Sequence, residues 1–309
     1  MMKYNWSIIG HEKQLEALEQ DIDSGKLAHA YLLSGPGSVG KATVAKKLAG
    51  ILQCEKDFCH KCPACIQVEK GCHIDTIELI DDGESIKIEE VRKLIERLSM
   101  TPQAPYKILL IQNIERMTSE AANSFLKTLE EPPPRTIFII TTNNIRALLP
   151  TVVSRVRVIK FNSVSDKYLQ NFLKENYPES DEETIKKVSL FSLGKTGKAL
   201  QLMDSPEVLA SYLEIYHKVQ NFLSNRSLVE RFAYVEELVA DEPKLSQFFE
   251  VLLNVLRSKL LASVSEENIK PEQSSLAYAD LLSKIEEAGI LLKRNVNARL
   301  VLENLMISL

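Results

Sequence analysis

Apolar residues recur along the first half of the chain in two alternating rhythms. HEKQLEALEQDI (11–22) places Leu15, Leu18 and Ile22 at helical spacing, with Gly25 as a stop. AYLLSG (30–35) is a short continuous apolar run ending in glycine, and ATVAKKLAGIL (42–52) sets Val44, Leu48 and Leu52 on one helix face. TIELI (76–80), KILLIQN (107–113), TIFIITT (136–142) and VRVIKF (156–161) predict further strands, with helical patterns over 86–99 and 118–131. Continuous apolar strands alternating with helices predict a parallel sheet covered on both faces.

Past Phe161 the strand signal fades. Residues 163–204 hold two or three short helical patterns, and Ser180 with Glu183 has the spacing of a capping box. Ser205-Pro206 suits an N-cap followed by a first helical residue, which marks a boundary. From 206 to 309 every periodic segment is helical, with Ser227 and Glu230 as another capping box. The predicted fold class is α/β plus all-α: an α/β domain over 1–162, a small helical domain over 163–205 and a larger helical domain over 206–309.

Composition narrows the partners. The 309 residues are 45% apolar and 26% charged, with net charge −4 and pI near 5.9, so no strong field draws the chain alone onto DNA or an anionic membrane. MMKYNWSIIGHE lacks the apolar core of a signal peptide, and the apolar runs fall far below the ~20 residues that span a bilayer. A cytoplasmic protein without membrane contact is expected. All five cysteines lie between 54 and 72. Two cystines and a spare would use them, but in a reducing cytosol such clustering favours metal. CEKDFCHKCPAC spaces Cys54, Cys59, Cys62 and Cys65 by four, two and two residues, which suits a closed, structural, tetrahedral zinc site. His60, Cys72 and His73 are read as bystanders, with replacement of Cys54 by one of them as the alternative.

GPGSVGKAT (35–43) has the glycines and lysine of a phosphate-binding loop: Gly35, Gly40 and Lys41 stand at the expected spacing, between a strand and a helix. The hydroxyl that normally holds magnesium is replaced by Ala42, and Thr43 lies about 100° further round the helix. The strand that should end in an acidic pair ends in Gln112-Asn113, with Glu115 expected beyond its tip. Both departures predict that hydrolysis is lost.

LAHAYLLSGPGSVGK (27–41), the cysteine knuckle, GESIKIEEVRKL (83–94), MTSEAANSFLKTLEEPPPRTIFIITTN (117–143), LLPTVVSR (148–155) and NVNARLVLENL (295–305) together resemble the delta-prime subunit family of the bacterial DNA polymerase III clamp loader. The resemblance spans nearly the whole chain. It implies an AAA+ module, a small helical lid and a C-terminal helical collar for oligomerisation. Ile8-Ile9-Gly10-His11 resembles the segment that packs on adenine in related ATPases. The rival is the ATP-hydrolysing gamma/tau subunit, from which the chain departs at Ala42, at Gln112-Asn113, and at Gly197, where the lid arginine is expected.

The resemblance therefore implies a subunit that is no enzyme by itself, with ATP or ADP binding left open by Gly35, Gly40, Lys41 and Thr43. It implies delta and gamma/tau partners in a hetero-pentamer, acting on the sliding clamp and primer-template DNA. Ser154-Arg155 resembles the Ser-Arg of the family's outward-pointing arginine finger, with Val156 in place of cysteine; the plainer reading is that Arg155 pairs with a surface carboxylate. On the helix ANSFLKTLEE, Phe125 and Leu129 read as core and Lys127 as solvated, although related subunits track DNA phosphates there. A zinc-dependent nucleic-acid binder is a third reading, opposed by the acidic pI.

Overall fold

The computed structural model describes every residue except 1, 2, 5, 7, 225, 226, 266–270 and 295. Four residues of the N-terminal MMKYNWS segment and Asn295 of NVNARLVLENL thus lie outside the described residues. Those described fall into two units: Met1–Val164 with Lys195–Gly197, and Ser165–Gly194 with Lys198–Leu309. The segments expected as lid and collar both fall in the second unit, apart from 163–164 and 195–197.

The first unit runs α1 (Glu12–Asp23), β1 (Ala30–Ser34), α2 (Lys41–Gln53), α3 (Pro63–Glu69), β2 (Thr76–Leu79), α4 (Ile88–Leu98), β3 (Lys107–Ile111), α5 (Ser119–Glu130), β4 (Thr136–Thr142), α6 (Pro150–Val153) and β5 (Arg157–Lys160). All strand pairings are parallel, in the order β2-β3-β4-β1-β5. Alternation along each strand divides the apolar residues between two cores. Tyr31, Leu33, Ile108, Leu110, Ile137 and Ile139 pack with α1, α2 and α3. Leu32, Leu109, Ile111, Phe138 and Ile140 face α4 and α5, where the Phe125 and Phe138 rings meet edge to face at 5.4 Å. Both faces are covered, which is why the strands read as unbroken apolar runs.

The second unit is helical: α7 (Asp166–Asn176), α8 (Glu182–Ser192), α9 (Thr196–Asp204, whose first two residues count with the first unit), α10 (Pro206–Ser224), α11 (Leu228–Ala240), α12 (Glu242–Ser265), α13 (Pro271–Lys293) and α14 (Ala298–Ser308). The two expected capping boxes are corrected. At α8 the cap is Asp181, whose carboxylate accepts from the N–H and hydroxyl of Thr184 at 3.0 and 2.7 Å. An aspartate there caps as well as serine and adds charge of the favourable sign. At α11 Ser227 occupies the N-cap but its side chain makes no capping bond. Among the described residues no helix is long and apolar enough to cross a membrane.

One buried ion pair ties the sheet together, and its two members went unremarked in the sequence. Asp75, just before β2, meets Lys107, the first residue of β3, at 2.9 Å, and both are almost fully buried. The other carboxylate oxygen accepts from the N–H groups of Gln103 and Ala104 at 2.7 and 2.8 Å. Burial works against the carboxylate, yet the Ala104 N–H, the Lys107 ammonium and the Gln103 N–H hold its pKa below the usual range. Breaking such a pair leaves a buried charge uncompensated. Asp75→Ala is expected to cost about 3–5 kcal/mol, read from urea unfolding of the first unit by the fluorescence of its buried Trp6, the only tryptophan. Because the folded pKa is depressed, the stabilisation is present above the unfolded value of about 4 and fades as pH falls through the folded pKa. The gap between variant and wild type should narrow in that acid range.

Candidate functional site

In a parallel sheet every strand delivers its carboxyl end to the same edge. Here that edge collects Ser34, Gln112-Asn113 and Thr142-Asn143, because β1 lies between β4 and β5 with Ser34 in register with Thr142. The chain leaves β1 through Gly35, where an added Cβ would stand 1.9 Å from the Phe161 carbonyl oxygen, so only glycine fits. Gly40, at φ 96°, turns the loop into α2, which begins at Lys41 without a side-chain cap. The loop thus presents free helix N-terminal N–H groups, a setting that favours an anion. Ile8 packs against this turn: a Cβ on Gly40 would lie 3.9 Å from its side chain.

Lys41 is almost wholly buried. Its ammonium donates to the carbonyls of Gly35 and Pro36 at 2.7 and 2.5 Å and to Asn143 Oδ1 at 2.9 Å. Burial lowers its pKa to about 8, with Glu115 opposing the shift. Beside it lies a cavity of about 420 Å³ whose walls include Gly40, Lys41, Ala42, Thr43, Gln112 and Asn143. Gly35, Gly40, Lys41 and Thr43 are therefore brought together around one loop.

Three residues here escaped notice or were misplaced. Asn143 follows the last residue of β4 and turns its side chain to Lys41. Glu115, expected beyond the strand tip, is brought back by the 3₁₀ turn Ile114–Arg116, and its Oε1 accepts from the Asn143 N–H at 2.8 Å. Asp81 reaches in from the end of β2 to Asn113. A polar residue ending an apolar strand next to β1 is the signal that could have found Asn143. At Gly197, the backbone N–H donates to Ser38 O at 2.8 Å and a Cβ would stand 2.9 Å from that oxygen. Backbone contact occupies the position where an arginine side chain was sought.

The cysteine knuckle joins α2 to α3. Sγ separations are 3.8 Å for Cys54–Cys59, 3.8 Å for Cys54–Cys62, 4.0 Å for Cys59–Cys65 and 3.4 Å for Cys62–Cys65, all four atoms lying within 4.8 Å of one another. Zinc–sulfur bonds of about 2.3 Å in a tetrahedron require sulfurs about 3.8 Å apart, so the thiols fit one such ion. The N–H groups of Lys61 and Cys62 lower the Cys59 thiol to about 6, whereas burial and the neighbouring Cys54 and Cys62 raise the Cys65 thiol. Asp57, Phe58 and His60 all have positive φ, a tight winding that a shared ion would hold. The Phe58 ring lies against α2 where Gly50 leaves room: a Cβ there would be 2.3 Å from the ring. His60 pairs with Glu69, His73 Nδ1 accepts from the Asp75 N–H, and Cys72 is exposed and outside the cluster.

Ser154 and Arg155 sit at the end of α6 on the surface. Arg155 Nη2 pairs with Glu130 Oε1 at 2.5 Å, and Nη1 donates to Thr151 O at 2.8 Å and Ser154 Oγ at 3.2 Å. Val156 packs inward against the α4–α5 core. Phe125 and Leu129 are buried and Lys127 is exposed.

Residues 10–165 match the protein-family model described as DNA polymerase III, delta subunit. The chain is 35% identical over 206 residues to the DNA polymerase III subunit gamma of Buchnera aphidicola subsp. Schizaphis graminum (strain Sg), covering 64% of this chain and 56% of that protein. It is 30% identical over 206 residues to the subunit tau of Escherichia coli (strain K12), covering 64% and 32%. To the subunit delta' of Bacillus subtilis (strain 168) it is 26% identical over 284 residues, covering 89% and 83%. A solved gamma subunit-related protein from Thermotoga maritima superposes with a TM-score of 0.44 at 22% identity, over 95% of this chain and 97% of that one. The chain spans about half the length of the Buchnera gamma subunit and a third of the E. coli tau subunit.

These relatives correct one expectation. Loss of the magnesium ligands implied a chain that is no enzyme by itself, yet the relatives include gamma and tau subunits, the type set apart above as ATP-hydrolysing. Its physical basis was incomplete too, since acids were sought only at the tip of β3 while Glu115 and Asp81 approach the same edge through side-chain contacts. With the family match covering just over half its length, the chain belongs to the DNA polymerase III delta-subunit family.

Proposed function

We propose that the chain is a clamp-loader subunit of DNA polymerase III that binds ATP at the Gly35–Thr43 loop and hydrolyses it, in the manner of the gamma/tau type. The observation that carries this is the buried Lys41 ammonium beside a cavity at the N-terminus of α2. Its loop-carbonyl and Asn143 acceptors are ones that a nucleotide's terminal phosphates can replace. The gamma and tau relatives support the reading. Magnesium, when bound, would neutralise charge on the transferred phosphoryl group; Thr43, Gln112 and Asn113 are among the side chains of the cavity wall with oxygen to offer. Glu115 is the carboxylate we assign to preparing the attacking water, since the Asn143 N–H holds it beside the residue that Lys41 contacts.

Lys41→Ala should abolish binding of an ATP analogue. Glu115→Gln should bind it normally while lowering steady-state phosphate release by about a hundredfold or more. Wild-type turnover in Glu115→Gln would remove it from the chemistry, and no turnover by the parent chain, alone or in the complex, would overturn the hydrolytic reading.

A second reading, delta-prime identity, is favoured by the B. subtilis delta' match across 89% of this chain. It assigns the chain a different place in the same complex with delta and gamma/tau subunits, and co-purification with each candidate neighbour distinguishes the two places. Under both readings Arg155 is proposed as a finger for an adjoining subunit's ATP site. Its exposed pair with Glu130 is weak, of order 0–1 kcal/mol, and yields readily to phosphate charge. Arg155→Ala should leave assembly intact by native mass measurement, leave the isolated chain's own turnover unchanged, and lower ATP hydrolysis by the reconstituted complex. Because one site among several loses its finger, only part of the total should disappear. Arg155→Lys should rescue poorly, since the planar fork is lost.

The cysteine cluster is proposed to hold one structural zinc ion through Cys54, Cys59, Cys62 and Cys65. Metal analysis of the reduced protein should give near-unit stoichiometry, and cobalt exchange should give the absorption of a tetrahedral thiolate site. Cys65→Ser should lower zinc occupancy and expose the α2–α3 connection to protease; a metal-free chain with that connection protected would overturn the assignment.

A further inference from the structure

A chain of side-chain hydrogen bonds runs from a surface ion pair into the glycine-rich loop. Asp81 follows β2 in a loop bound to the turn after β3: Ile86 N–H donates to Arg116 O at 2.9 Å and Thr118 N–H to Ile86 O at 3.0 Å. One Asp81 oxygen takes the Arg116 Nε at 3.1 Å and the Gly83 N–H at 3.0 Å, and the other accepts from Asn113 Nδ2. Asn113 Oδ1 then accepts from Asn143 Nδ2 at 2.8 Å, and Asn143 Oδ1 accepts from Lys41 Nζ at 2.9 Å.

The ends of this chain dictate its direction. An ammonium can only donate and a carboxylate can only accept, so each amide between them has one allowed orientation. Asn113 is held for the task by a left-handed backbone (φ 49°, ψ 59°) and by its N–H bond to Thr141 Oγ1 at 3.1 Å. With Asp81 removed, only the charged Lys41 still holds this direction, and once its amine is neutral both amides can turn so that an N–H donor faces it.

We propose that Asp81 is a positioning residue for the nucleotide site: its carboxylate fixes the polarity of Asn113 and, through it, of Asn143, so that a carbonyl oxygen faces Lys41. The strand-tip acid absent at Asn113 is thus supplied from the loop after the neighbouring strand, one hydrogen bond further out. This rests on the nucleotide-binding reading for its functional meaning, while the relay itself is a property of the unliganded chain. The other groups acting on Lys41 are the Gly35 and Pro36 carbonyls and Glu115, and Asp81 touches none of them.

The test uses the full chain carrying ¹³C at the lysine ε-carbons, with the Lys41 signal identified by its loss in Lys41→Met. The wild-type midpoint is expected near 8. Asp81→Ala should lower it by about half a pH unit or more, because an amide donor facing the amine disfavours its charged form. Asp81→Asn combined with Asn113→Asp should restore it, since the moved carboxylate still accepts from Asn143 and Asn143 keeps its direction. A fluorescent ATP analogue should bind about five- to tenfold more weakly to Asp81→Ala and recover in the double variant. Buried-Trp6 fluorescence checks the fold, and if Asp81→Ala fails to fold, Asp81→Leu, of similar shape and without an acceptor, takes its place. An unmoved Lys41 midpoint in a folded variant, or no recovery in the double variant, overturns the relay. A wild-type chain that does not bind the analogue while the midpoint shifts as expected overturns the nucleotide reading alone.

Discussion

A lysine ammonium taken almost entirely out of water must find acceptors, and the geometry of this site follows from where they are. Leaving such a charge unpaired in the interior would cost several kcal/mol. Lys41 draws two acceptors from the loop that precedes it and one from Asn143 at the end of β4. The first two fold the Gly35–Pro36 carbonyls toward the helix. The third ties the loop to the strand beside it. That third acceptor is available because β1 and β4 run parallel and end level, with Ser34 paired to Thr142. The sheet's direction and register are thus prerequisites of the electrostatics at its edge.

The same edge explains what could and could not be read from the sequence. Strands buried on both faces announce themselves as continuous apolar runs, and KILLI and TIFIITT became β3 and β4 over those residues. Contacts that depend on the chain folding back were hidden. Glu115 is four residues past the end of β3, so counting along the sequence puts it out of reach, whereas a 3₁₀ turn brings it to Asn143. Asp81 and Asn113 are far apart in sequence and meet only because β2 and β3 are neighbours. Asp75 and Lys107 were hidden for the same reason. Periodicity reports which face a residue lies on, and spacing reports only local partners.

The cysteine knuckle was legible for the opposite reason. Its donors lie within one short stretch, and Cys62 and Cys65, three residues apart at the start of α3, share a helix face by geometry alone. Cys62 also accepts the Cys65 N–H at 3.4 Å, so the helix cap and the proposed metal-ligand set use the same sulfur. What spacing could not convey is how the knuckle is anchored. That depends on Gly50 in the middle of α2, a residue that weakens a helix by about 1 kcal/mol and here lets the Phe58 ring lie against the backbone. The propensity loss is offset by closing an aromatic side chain into the core on that face of the sheet.

Arg155 shows how a side chain can be ordered without being committed. Glu130, Thr151 and Ser154 hold its guanidinium in one arrangement at the surface, which lowers the entropy still to be lost if it engages another charge. A single exposed carboxylate offers little competition to a phosphate group, which can take the planar fork in a bidentate manner. The pair with Glu130 is therefore compatible with both the plain and the functional reading, and its presence alone decides neither. What separates the readings is the position of the charge relative to this chain's own site. Lys41, Asn143, Asn113 and Asp81 form a connected set of contacts at the sheet edge, and Arg155 takes part in none of them. A finger acting on its own loop would have to join that set. One held apart, on a helix end with its partners at the surface, fits the proposal that it acts on an adjoining subunit.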